Sequence, residues 1–87
     1  MMQRVYAIRD KKAGFLSPLV DVNDETAKRN FGFAVQRGDS MFLAFPDDYD
    51  LYFIGEYETE SGEISPCKPL FVCSARNFLL KDVRSDV

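Results

Sequence analysis

Polar and apolar residues alternate first in Arg4-Val5-Tyr6-Ala7-Ile8-Arg9, the period of a strand, with Tyr6 and Ile8 on one face. Asp10-Lys11-Lys12-Ala13-Gly14 has turn composition, and Gly14 is free to take a positive φ. Phe15 to Val20 then returns as a second strand. Pro18 has no N–H to give a ladder, so this strand belongs at an edge or carries a bulge.

The period changes after Val22. Asn23 is a good N-cap, and Asp24 and Glu25 place negative charge in the first turn of a helix. Ala27, Phe31, Ala34 and Val35 fall at i, i+4, i+7 and i+8, one buried stripe, while Lys28, Arg29 and Gln36 take the solvent side. Gly32 inside that helix marks close packing, and Gly38 is a C′ residue that ends it. Ser40 to Phe45 fits a short helical turn or a strand. Pro46 and the acidic residues after it favour the turn.

Leu51 to Glu58 is the clearest strand. Strict alternation puts Leu51, Phe53, Gly55 and Tyr57 on one face and Tyr52 and Ile54 on the other. Glu60-Ser61-Gly62-Glu63 is a hairpin turn, and Ile64 opens a return that Pro66 and Pro69 interrupt. Leu70 to Cys73 is the last strand, with the unbroken apolar run of a central position. Phe78-Leu79-Leu80 reads as a closing turn, and Ser85 to Val87 as a fraying end. The order ββαββ predicts an α+β fold: a four-stranded antiparallel or mixed sheet covered on one face by one helix, as a single small domain spanning residues 1–87. The uncovered face, with this many aromatics in the chain, is a candidate binding surface or dimer interface.

Composition narrows the function. With 46% apolar residues, eight Phe and four Tyr, 87 residues can build a dense core. No apolar run approaches membrane-spanning length and the N-terminus lacks a signal-peptide pattern, so a soluble protein that acts where it is made is expected. The formal charge of −3 runs against nucleic-acid binding, which favours a basic excess. The charges are segregated, however. Arg4, Arg9, Lys11 and Lys12 face only Asp10 in the first twelve residues, and Lys68, Arg76, Lys81 and Arg84 only Asp82 near the end. Between Asp47 and Glu63 every charged residue is a carboxylate. Convergent ends would give one basic and one acidic face.

Histidine is absent, and Cys67 and Cys73 lack zinc spacing, so no metal site and no cofactor are expected. Asp47, Asp48 and Asp50 are read either as a Mg²⁺-binding set or as a solvated turn. No nucleophile motif or glycine-rich phosphate loop occurs, and the chain is not expected to be an enzyme. The basic-aromatic set Arg4, Tyr6, Arg9, Lys11, Lys12 and Phe15 has the chemistry of a single-stranded nucleic-acid site: cations for phosphates, rings for bases. The same residues also suit a hairpin with Tyr6 and Phe15 in the core and charges that keep it soluble. The acidic ribbon Asp47–Glu63 is likewise either an ordinary charged hairpin or a surface for a basic partner.

Two blocks carry a family likeness. Ile8-Arg9-Asp10-Lys11-Lys12-Ala13-Gly14-Phe15, followed by Pro18 and a short apolar strand, resembles the opening of the small nonstructural protein of gokushoviruses, single-stranded DNA phages of the microvirus group. Met41-Phe42, Phe45-Pro46-Asp47-Asp48-Tyr49-Asp50-Leu51-Tyr52 and Ile54-Gly55-Glu56-Tyr57 are similar to that family's central block, and Leu70 to Ala75 to its closing strand. The resemblance implies a non-enzymatic, DNA-binding, replication-associated protein of the host bacterial cytoplasm. Such a protein would act when genome synthesis shifts to packaged single strands. It supplies no binding residues. The expected partners are single-stranded DNA and a phage or host replication protein, with a homodimer open; the rival reading is a protein–protein adaptor working through the acidic hairpin or the exposed sheet face.

Overall fold

The structure is a computed structural model and describes residues 1–79. Lys81, Arg84, Leu80 and the Ser85–Val87 end lie outside the described residues. The chain is α+β: strands β1 (Met2–Asp10), β2 (Gly14–Phe15) and β3 (Leu19–Asp21), helices α1 (Asp24–Val35) and α2 (Met41–Ala44), then strands β4 (Tyr49–Glu58) and β5 (Ile64–Ser74). The strands form one antiparallel sheet in the order β2-β1-β4-β5, with β3 also paired to β1.

The sheet has five strands where four were expected, because the return of the first hairpin is split. β2 pairs with Arg9 and Asp10, β3 pairs with Arg4 to Tyr6, and Pro18 lies in the gap between them. Gly14 turns the hairpin at φ 110°. β5 corrects two expectations. It runs without a break through Pro66, which pairs with Gly55, and Pro69, which falls in a register shift against β4, and it lies at the sheet edge, not the centre. β1 and β4 take the central lanes. The apolar run of β5 is accordingly exposed at Leu70 and Phe71.

α1 is capped as its sequence requires, Asn23 Oδ1 accepting from the Thr26 N–H at 2.9 Å. Its stripe of Ala27, Phe31 and Val35 packs on Tyr6, Leu51 and Phe53, with Tyr49, Cys73 and Ala75 completing the core. Gly32 lies under Phe78: a Cβ there would come 2.6 Å from the ring. The helix ends at Gln36, two residues before Gly38, whose φ is not positive, so Gly38 does not serve as the C′ stop. Ser40 caps the short α2, which confirms the helical reading of Ser40–Phe45.

Candidate nucleic-acid interface

β1 alternates without interruption against β3, and it defines the two sides of the sheet. Tyr6 and Ile8 pack toward α1, and Arg4 reaches Asp24 on that helix. Gln3, Val5, Ala7 and Arg9 therefore point to the bare side. The register carries their partners with them: Phe15 opposite Arg9, Tyr52 opposite Ala7, and Phe71 opposite Tyr52.

The result is an aromatic row across β2, β4 and β5. Phe15 and Tyr52 meet edge-to-face with ring centroids 5.5 Å apart, and Tyr52 meets Phe71 the same way at 5.9 Å. Phe15 and Phe71 are exposed, at 48% and 59% of their surface, and Tyr52 is half-buried between them.

Charge follows the same division. Asp10, Asp21, Glu56 and Glu58 pair in register with residues on the α1 side. Among the described residues, Asp50 is the one strand carboxylate on the bare side. It is buried, and Lys11 Nζ stands 3.6 Å from its Oδ2. Arg9 and Lys12 form no ion pair with any described residue. Backbone bonds from Lys11 N–H to the Asp48 carbonyl and from Lys12 N–H to Asp10 Oδ1, both 2.9 Å, fix the turn that presents the two lysines.

The residues singled out in the sequence thus divide. Arg9, Lys11 and Phe15 come together at one end of the bare face, with Lys12 exposed in the turn beside them. Arg4 and Tyr6 lie on the other side. Tyr6 has no exposed surface; its hydroxyl donates to Asp24 Oδ1, while the Arg4 guanidinium donates to both Tyr6 and Asp24 and sits 3.8 Å from the Phe53 ring centre. Burial and the Asp24 carboxylate push the Tyr6 hydroxyl up to about 12. This network ties the start of α1 to the sheet and leaves Tyr6 no face for a base. Tyr52 and Phe71 were missed as members of the row. Tyr52 was legible as the outward residue between Leu51 and Phe53, whereas the position of Phe71 depends on which lane β5 occupies.

Of the basic residues near the end, Lys68 lies on the edge strand β5 and Arg76 contacts Asp47, while Lys81 and Arg84 lie outside the described residues. Asp47 is held by a bidentate contact with Arg76, whose hydrogen bonds keep its carboxyl below the usual range. With Asp50 turned to Lys11, the acidic triplet is dispersed, and no group of three metal-ligating side chains occurs among the described residues. Burial pushes the Cys73 thiol up to about 11, so it stays protonated in the core. No described helix is long and apolar enough to cross a membrane.

No curated protein and no solved structure matches the chain. A family model described as "Phage ORF5 protein" matches residues 3–78, which takes in every strand and both helices.

Proposed function

The chain belongs to the phage ORF5 protein family, and we propose that it is a non-enzymatic protein of viral DNA replication that binds single-stranded DNA on the bare face of its sheet. One observation carries this reading: the Phe15–Tyr52–Phe71 row, bordered by Arg9, Lys11 and Lys12, on the side from which the described strand carboxylates other than Asp50 are turned away. Unpaired bases stack on such rings, while the bases of a duplex already stack on each other. The net charge of −3 is compatible with a polyanion because the field near a surface depends on the charges closest to it. The likeness to gokushovirus nonstructural proteins supports the finer placement, at the switch to packaged single strands in the host bacterial cytoplasm.

Fluorescence anisotropy of a labelled oligothymidine, titrated with the full chain at graded salt, tests the proposal. Binding through Arg9, Lys11 and Lys12 gives a log–log salt slope of about −2. Arg9→Glu with Lys12→Glu abolishes binding, and a duplex of the same length binds far more weakly. No binding at low salt, or binding indifferent to that double change, overturns it. That outcome would favour an adaptor role, which draws support from Glu56 and Glu63: neither has a cationic partner among the described residues.

A further inference from the structure

The outer surface of α1 carries a feature that the DNA reading leaves unused. Phe33 is 70% exposed, the most exposed of the large apolar side chains described. Its neighbours one turn away are Arg29, Asn30 and the C-cap Gln36, with Arg37 just past the helix end. Asn30 is engaged with Asp21 and Gln36 with the Phe78 carbonyl. Glu25, the nearest acid along the stripe, stands 3.8 Å from Lys28. Arg29 and Arg37 form no ion pair with any described residue, so two cations flank a bare ring.

The complementary chemistry sits on the same chain, at the β4–β5 turn. Glu60, Glu63 and Ile64 are exposed there, and Ile64 presents 64% of its surface. The Glu63 carboxylate forms no ion pair with any described residue and accepts from the Ser61 hydroxyl, while Glu60 stands 3.9 Å from the Met1 amino group. The turn adjoins the start of β1, since the Met1 amino group lies 2.6 Å from Glu58 and the Thr59 N–H donates to the Met1 carbonyl. Arg37 adjoins the far end of β1, lining with Asp39 a groove of about 450 Å³ that Asp10 and Tyr49 border. Nine residues of strand separate those ends, about 30 Å. The acidic turn therefore cannot reach Arg37 of its own chain.

We infer that Arg29 and Phe33 of α1, with Arg37 just past its end, form a docking site for the acidic β4–β5 turn of a second copy of this chain. Carboxylates Glu60 and Glu63 meet the two arginines, and Ile64 covers Phe33. The two surfaces differ, so the contact is head-to-tail and repeats from copy to copy. Association by strand addition is disfavoured on both sheet edges, by Pro18 on one and by Pro66 and Pro69 on the other.

Sedimentation velocity of the full chain without DNA tests this apart from the DNA reading. At low salt the mean mass rises with concentration above the 10.0 kDa of one chain, past two copies, and high salt returns it to monomer. Arg37→Glu or Glu63→Arg alone weakens association about tenfold. The two changes in one chain restore it, as does an equimolar mixture of the two single variants. A monomer at every concentration overturns the inference, and so does a double variant no better than the singles. Loss of oligonucleotide binding in Arg37→Glu, with the native chain monomeric, assigns the stripe to nucleic acid instead and also overturns it.

Discussion

The Tyr52 ring meets Phe71 edge-on, centroids 5.9 Å apart, on the side of the sheet that α1 leaves bare. Tyr52 in turn meets Phe15, so a side chain from one edge lane is linked to one from the other through a single ring in the middle. If bases stack there, the exposed rings carry the affinity. Phe71→Ala and Phe15→Ala each weaken oligothymidine binding by about 1–3 kcal/mol, roughly 5-fold to 150-fold. Each shifts the urea midpoint little, because both rings are half or more exposed. Anisotropy and urea denaturation on the same preparations separate the two effects.

Alkaline pH probes the core. An unfolded tyrosine loses its proton near pH 10.0, whereas buried Tyr6 beside Asp24 holds it to about 12. Cys73 behaves alike, moving from 9.0 to about 11 through burial. In both cases the folded chain keeps a proton that the unfolded chain releases. The contribution of these two groups is therefore constant below pH 9 and falls between pH 9 and 12. Tyr49, also raised by burial and then by Asp10, adds to the same fall. Tyr6→Phe costs about 1 kcal/mol at pH 7 through the lost hydroxyl bond and flattens the decline above pH 10. Urea denaturation at pH 7, 10 and 11 checks both parts.

Gly55 is required by a close approach of backbones. A Cβ there would lie 2.6 Å from the Ser65 carbonyl oxygen, so β4 and β5 would have to separate. Gly55→Ala destabilises by about 1–3 kcal/mol. Gly38→Ala is the control: nothing lies within 4 Å and φ is not positive, so the change is neutral or stabilises by up to about 1 kcal/mol. Denaturation midpoints of the two variants fall on opposite sides of the native value or differ by at least that margin.

Local chemistry was readable along most of the chain. Asn23 announced the cap of α1, Gly14 its turn, Gly32 its close contact, and Pro18 the break in the first hairpin's return. What the sequence did not disclose was lateral order. β5 carries the apolar run of a central strand and lies at the edge, because nothing in Leu70–Cys73 states which lane β4 leaves free. Strict alternation along β4 also failed at one place. Ile54 is an extra residue between Phe53, opposite Tyr6, and Gly55, opposite Val5. That bulge sends Gly55 and Tyr57 to the side away from Phe53. Site residues were legible to the same extent. Arg9, Lys11, Lys12 and Phe15 lie within one hairpin and stayed together, while Tyr6 was drawn into the core by Asp24, a partner far along the chain. Tyr52 was legible as an outward residue of β4, and Phe71 joined the row through register.

The most direct measurement is an NMR titration of the ¹⁵N-labelled chain with short oligothymidine at low salt. The largest amide shifts should fall at Ala7, Arg9, Phe15, Tyr52 and Phe71, with α1 little changed. Shifts confined to α1 or to the β4–β5 turn, or no shifts at all, would contradict DNA binding on the bare face of the sheet.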